Sequence, residues 1–545
     1  MPVSPFIAQQ TAPLRSYRDL PITVSYLALF FTVLLVFLLR PLSSGVFWMK
    51  YMQDDFFYYL KVAQNIADGH GSTFGGIAKT NGYHPLYELL WVVFSYVAHS
   101  SRSILLLQAL LILLASIATM LLAIHVLRSM QVRLLTAAAF ASWAVIYALR
   151  IFYNGMEVTL TIPLALAFLA VVLRWSWWTR SFIRSAVLGL LASLVVLSRL
   201  DALILIVVVF ACILAHRSLR TQIRPANIFG VLLGMQPITI YVILNRVWFG
   251  TALPISGMAK QLKPGLYPSV QTWAGLNLNQ PAYFAVTCPV FVALGLLPVV
   301  WKRFEPLQRS VIIATLVFPW LYYLAVSLRS DWTLWAWYLY PLRIAIIFSF
   351  AVFCAWPPLG NLLQRTPSTF TLCVLLFVPL FFDPWRIQLP ELYDRAVDVS
   401  RFANTHPGTY AMGDGAGAVG YLVHQPFVQL EGLMMDRNYL NLIRNETSLR
   451  RIFQAYRVDY YIATYYRAGN TNFHTDRSTL LGTCLSAVEP SLGGPTSPKS
   501  RDRFCQEPVF QTQYAGTHTV IYHVGQGSAA SAPVSDSFVH REPSH

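Results

Sequence analysis

The stretch ILLLQALLILLASIATMLLAIHVL at residues 104–127 contains no charged side chain. At about 1.5 Å per residue, a helix of that length exceeds the ~30 Å hydrocarbon core of a bilayer. A surface helix of a soluble domain would carry a polar face, and this run has none. It predicts a transmembrane helix.

Similar apolar runs recur on both sides of it, at 22–39, 134–149, 158–173, 185–198, 203–215, 227–244, 283–300, 310–328, 342–356 and 368–382. Together they predict about eleven spans, each long enough or nearly long enough to cross. The run 85–98 is apolar but short. Counting it as a span would break the alternation of charge in the loops, so it reads as an interfacial helix. The composition agrees with a membrane protein: 56% of residues are hydrophobic, only 12% are charged, and the mean hydropathy is +0.51. Soluble domains carry about 25% charged residues.

The loops sort by charge. Arg128 and Arg133, then Arg174, Arg180 and Arg184, then Arg217, Arg220 and Arg224, then Lys302, Arg303 and Arg309, and finally Arg365 collect on the side of Arg15 and Arg18. The positive-inside rule makes that side cytoplasmic. The long loops and most acidic residues fall on the other side. The first apolar run is long for a signal core and no A-x-A site follows it, so it reads as an uncleaved helix.

The expected organisation is a mainly α polytopic bundle at 1–383, with a long first outer loop at 41–103. A soluble α/β domain follows at 384–525, then a Ser-, Ala- and Pro-rich disordered tail at 526–545. The net charge of +16 fits Lys and Arg flanking membrane helices and an anionic substrate. There is no basic stripe with interleaved aromatics, which speaks against nucleic-acid binding. The six cysteines include no CxxC, which speaks against structural zinc. Cys484 and Cys505 share the C-terminal part and could pair in an oxidising compartment.

Charged residues at the membrane boundary are the functional candidates. The richest segment is YMQDDFFYYL (51–60), continuing to NGYHP (81–85). Asp54 and Asp55 open a helical pattern with Phe56, Leu60, Ala63 and Ala67 on one face, expected to lie on the membrane surface. One aspartate can cap the helix while the other acts as a general base. Further outer-side candidates are Glu157 in NGME (154–157), Arg199 and Asp201 in LSRLD (197–201), Lys260 after FGTALP (249–254), and Arg343 after the aromatic WTLWAWYLY (332–340). Taken singly, Arg199 with Asp201 reads as an ion pair tying two helices, Arg343 as a snorkelling side chain, and the aromatics as an interfacial belt. Taken together, acids and cations recur on one membrane face. That suits a base acting on an acceptor hydroxyl and cations acting on a leaving phosphate.

The segment DDFFYYLKVAQNIADGHG (54–71) followed by TNGYHPL (80–86), with the NGME, LSRLD and FGTALP blocks, resembles the bacterial GT-C glycosyltransferases over roughly 20–350. The nearest branches are the lipid A aminoarabinose transferases and the protein O-mannosyltransferases. The resemblance implies an inner-membrane enzyme with a cytoplasmic N-terminus and a periplasmic active site. It also implies a polyprenyl-phosphate sugar donor, inversion at the anomeric centre, and a lipid, polysaccharide or protein acceptor. It puts Asp54 at the catalytic acid and Asp55 at a variable acidic neighbour, with Glu157 as an outer-side acid opening the fourth helix. His84 and Arg199 fall where the lipid A enzyme has lysines, so donor character is kept and geometry changed. Asp54, Asp55 and Glu157 are hard oxygen donors of the kind a divalent metal takes.

In the C-terminal part, the helix-like run 449–456 leads into 458–463, which reads as a strand, and the stretch 410–423 holds a glycine-rich strand-to-helix turn. Gly415-x-Gly417-x-x-Gly420, with Glu431 or Asp436 downstream, matches a dinucleotide fingerprint. The short strand before it and its place outside the inner membrane favour a plain glycine-rich turn. The rival from another class is a transporter or flippase for a lipid-linked or anionic substrate. Transporters show internal repeats and charges at mid-membrane; here no repeat is evident and the charges sit at helix ends.

Overall fold

The computed structural model describes residues 16–43, 52–261, 281–363 apart from 331 and 333, 365, 369, 390–466 apart from 414, 446 and 448, 479–481, 484–488, 501–504, 508–514 and 517–524. The apolar run 104–127 lies in the helix Ser101–Ser129. Its first turn is closed by a reciprocal cap: the Ser103 amide donates to Ser100 Oγ at 3.2 Å, and the Ser100 amide donates to Ser103 Oγ at 3.0 Å. One side of this helix is buried against Leu134–Phe152 and Val158–Leu173. Leu106, Leu110, Leu114 and Leu121 remain exposed on it. Such an exposed leucine row is unfavourable in water and natural against lipid.

Each expected span from 22–39 to 342–356 falls in a helix or helix pair, and 368–382 apart from Thr369 lies outside the described residues. By length and composition alone, four described helices can cross a membrane, or five with one bent pair. Several others are shorter, such as Val158–Leu173 and Phe182–Ser198. The chain is a multi-pass membrane protein.

The run 227–244 is not one straight helix. It splits into Pro225–Gly234 and Gln236–Phe249, bent by 41°. Pro237 supplies the cause, since it lacks an N–H and clashes with the preceding turn. Glycines on both partners let Pro225–Gly234 press against Phe182–Ser198. A Cβ at Gly189 would meet the Val231 carbonyl oxygen at 2.1 Å, and one at Gly234 the Ala186 oxygen at 2.0 Å.

The first-loop helix Asp54–Ala67 does not lie on a surface as its periodicity suggests. Phe56, Phe57, Tyr58, Tyr59, Leu60, Val62 and Ala63 are all buried. Four consecutive aromatics point around the whole helix, so it must be covered on several sides. Pro85–Ser95 covers one side and the helix Ala416–Leu422 another. The loop at Asn154 covers its start, where the Gln53 amide donates to the Asn154 oxygen at 3.3 Å. Gly155 adopts φ +75° there, with a would-be Cβ 2.7 Å from the Phe56 ring. Gly155→Ala should therefore cost about 1–2 kcal/mol, the penalty for a left-handed L-residue. A lowered unfolding temperature would register it, and an unchanged one would show that the loop can rearrange.

The C-terminal sheet runs in spatial order Phe427–Gln429, Tyr410–Met412, Tyr460–Tyr466, Thr517–His523, Phe510–Tyr514. The first three strands are parallel and the last two join antiparallel. The expected strand and helix runs are thus present. Cys505 and the 526–545 tail lie outside the described residues.

Candidate active site

Separate sequence blocks converge at one end of the helices. Asp55 stands in the first turn of Asp54–Ala67. The NGYHP turn is folded locally by the Gly82 amide donating to Thr80 Oγ1 at 3.1 Å. Asn81 then clips the FGTALP loop: its Nδ2 donates to Thr251 Oγ1 (3.3 Å) and the Leu253 oxygen (3.4 Å), and its Oδ1 accepts from the Ile255 amide (3.0 Å). That clip sets the short helix Ile255–Ala259 and so delivers Lys260.

Glu157 precedes Val158–Leu173, and Arg199 ends Phe182–Ser198. Buried Arg199 and Glu157 form one cluster with half-buried Asp201. Arg199 Nη1 contacts Glu157 Oε1, and both side chains are about 1% exposed. Arg199 Nε donates to Asp201 Oδ1 at 2.9 Å and Nη2 to Asp201 Oδ2 at 3.0 Å. This fork is the geometry a guanidinium supplies and an ammonium cannot. Tyr322 and Tyr340 each donate to Asp201 at 3.0 Å, and Tyr59 donates to Glu157 at 3.1 Å. The guanidinium lies 4.6 Å from the Tyr338 ring centre and 5.0 Å from that of Tyr340.

Lys260 Nζ donates to Tyr338 Oη at 2.8 Å and sits 5.5 Å from the Trp332 ring centre. His84 Nδ1 accepts from the Leu200 amide at 3.4 Å, which leaves Nε2 as the protonated nitrogen, 3.8 Å from Glu157.

These groups surround a half-open cavity, lined among others by Asp55, Tyr58, Tyr59, His84, Glu157, Arg199, Lys260, Tyr338, Leu433 and Met434. Burial pushes the Asp55 carboxyl up to about 6; the attraction of Lys260 opposes the rise, and Asp54 and Glu157 add to it. Burial holds the His84 imidazole below its ordinary value, so it is a neutral donor near pH 7. Burial also works against the Lys260 ammonium, but Tyr338 and Asp55 outweigh it and keep the charge in place.

Of the residues singled out in the sequence, Asp55, His84, Glu157, Arg199 and Lys260 meet at this cavity. Asp201 stands behind Arg199. Asp54 and Arg343 are not among the lining residues. The Asp54 carboxylate instead accepts from two amides of the C-terminal part, Gly417 (2.7 Å) and Ala418 (2.9 Å). The structure does divide capping from facing the cavity between the two aspartates. Asp54 makes the capping contact, on another segment's helix, and Asp55 faces the cavity. Arg343 donates to the carbonyls of Tyr147 (3.1 Å) and Leu339 (2.9 Å). Asp54, Asp55 and Glu157 are not gathered as a ligand set, and among the described residues no group of three such donors is placed to hold a metal. The Gly415–Gly420 run is a packing element: Asp436 caps the helix Arg437–Arg444, and Glu431 accepts from Gln429 at 2.9 Å.

Sequence reasoning missed Tyr322, which reads as an ordinary end-of-span tyrosine, and Leu433 and Met434, which carry no chemical signal of their own.

The helical bundle with its buried first-loop helix and C-terminal mixed sheet shares its fold with solved structures of ArnT. Among solved structures it matches ArnT from Cupriavidus metallidurans bound to undecaprenyl phosphate, with TM-score 0.52 and 11% identity over 82% of this chain and 93% of that one. The apo state of ArnT gives TM-score 0.53 and 12% identity over 83% and 94%. The Archaeoglobus fulgidus oligosaccharyltransferase tethered with an acceptor peptide gives 0.49 and 11% over 81% and 69%. At these identities the likeness is one of fold. No protein-family model and no curated protein sequence matches the chain.

Proposed function

We propose that this protein is an inverting membrane glycosyltransferase, moving a sugar from polyprenyl phosphate to an acceptor hydroxyl at the outer, periplasmic face of a bacterial inner membrane. The observation that carries this is the pairing of Asp55 with Lys260 across one cavity at the helix ends of a GT-C fold. The undecaprenyl phosphate bound to the ArnT of similar fold supports the donor class.

In this reading Asp55 takes the proton of the acceptor hydroxyl as its oxygen attacks the anomeric carbon from the side opposite the phosphate. The anomeric C–O bond breaks, and its electron pair leaves on the phosphate. Lys260 meets the growing negative charge, aided by the Nε2–H of His84. Arg199 contributes less direct charge, since Glu157 and Asp201 already balance it; it fixes the floor of the site. Asp54 and Arg343, whose groups are bound elsewhere, drop out of direct roles.

The test is transfer of labelled sugar from a panel of polyprenyl-phosphate donors in membranes carrying the wild-type protein. Transfer at no donor would sink the proposal. A second measurement probes the pairing. With Asp55 near 6, the rate should rise as pH passes about 6 and level off above it. Lys260→Gln removes the attraction that favours the carboxylate, so the limb should move to higher pH while the plateau falls. A limb that stays put would separate Lys260 from Asp55.

A further inference from the structure

We infer, on the footing of the transfer chemistry proposed above, that Asp54 is a positioning residue that docks the C-terminal sheet as a fixed wall of the substrate cavity. Both oxygens of its carboxylate are engaged: Oδ2 by the Gly417 amide and Oδ1 by the Ala418 amide. Next to it, Asp55 faces the cavity, and the lining of that cavity also includes Leu433 and Met434 of the C-terminal part. The segment that follows strand Phe427–Gln429 therefore touches whatever occupies the cavity.

The seam is built for backbone contact from both sides. On the first loop, a Cβ at Gly75 would meet the Phe427 oxygen at 1.9 Å, and one at Gly82 the Leu433 oxygen at 2.0 Å. On the C-terminal side, a Cβ at Gly417 would meet the Asp54 oxygen at 2.1 Å, and one at Gly420 the Phe74 ring at 2.4 Å. The Phe427 amide donates to the Gly75 oxygen at 3.0 Å. Gln429 Nε2 reaches Tyr58 Oη at 3.3 Å, and Gln64 Nε2 reaches Tyr421 Oη at 3.2 Å. Below the turn, buried Arg395 donates to the Gly415 oxygen at 2.8 Å and braces it. Clashes at 2 Å against carbonyl oxygens cannot be relieved by a rotamer change, so any side chain at Gly75, Gly82 or Gly417 must open the seam.

Three full-length variants test this in membranes: Asp54→Ala, Gly417→Ala and the double variant. Each single variant should lower the transfer rate at least tenfold while keeping the acid limb governed by Asp55. In Asp54→Ala that limb should shift to lower pH, since a neighbouring negative charge is gone. The double variant should be no worse than the worse single one, because both changes break the same contact. Docking is read separately by joining Gln64→Cys to Tyr421→Cys with a short bismaleimide, against the native cysteines as background. Crosslinking should fall in Asp54→Ala and in Gly417→Ala.

Wild-type crosslinking or wild-type transfer in both variants would overturn the inference. So would an Asp54→Ala protein that crosslinks normally yet transfers nothing while Gly417→Ala transfers normally, since Asp54 would then act on substrate. If the wild-type protein transfers no sugar, the transferase proposal fails, and crosslinking alone still decides whether Asp54 docks the sheet.

Discussion

Asp55→Asn is expected to lower sugar transfer by about 10²–10⁴-fold, the range contributed by a positioned general base. Asparagine keeps the size and helix position of the side chain but cannot take a proton. No neighbouring acid can substitute. Asp54 is bonded to two amides, and Glu157 is tied to Arg199 and Tyr59. The residual activity should also lose its acid limb, because the group whose carboxyl is raised to about 6 is gone. The measurement is initial rate against pH, with expression matched by blot. Full activity on a donor used by the wild type would remove Asp55 from the chemistry.

Arg199→Met is expected to destabilise the fold by about 3–5 kcal/mol, the usual cost of removing one partner from a buried ion cluster. The substitution keeps most of the side-chain volume but leaves Glu157 and Asp201 facing each other without a cation. Tyr322, Tyr340 and Tyr59 would still donate to them, which limits the loss without replacing a charge. Arg199→Lys should recover only part, because an ammonium cannot fork across both Asp201 oxygens. Neutralising an acid as well, in Arg199→Met with Glu157→Gln, should restore stability beyond the single variant, a signature of coupling within one network. Thermal unfolding of the purified protein in detergent reads all three. An Arg199→Met protein with wild-type stability and no transfer would place Arg199 on the substrate instead.

Much of the architecture is written in apolar run length, which fixes helices wherever lipid is the solvent. The sequence is less explicit where helices break. Pro237 sits in the middle of an apolar run, and hydropathy is blind to the bend it makes. The candidate site was legible as charges at helix ends: Asp55, Glu157, Arg199 and Lys260 are all visible as expensive residues in cheap surroundings. What stayed hidden is how they are shared out. Which of two adjacent aspartates faces the cavity is decided by amides more than 360 positions away. Arg343 looked like an outer cation, yet two backbone carbonyls absorb its donors within the bundle. Tyr340 reads as a member of an aromatic belt and Tyr322 as an ordinary end-of-span tyrosine, yet their hydroxyls hold Asp201. In each case the deciding partner is distant in sequence and silent in composition.

Asp54 and Asp55 are consecutive on one helical turn, about 100° apart around the axis, with a single peptide unit between them. Their backbone positions move together, while each carboxylate turns on its own χ1 and χ2 bonds. A ligand that tilts the turn through Asp55 therefore loads the contact made by Asp54. Filling the cavity and seating the sheet are then two equilibria sharing one rigid lever, and linkage between equilibria is reciprocal. If substrate strengthens the hold on the sheet by some factor, a well-seated sheet strengthens the hold on substrate by the same factor. Affinity for the sugar donor would thus be set partly by residues that never approach it.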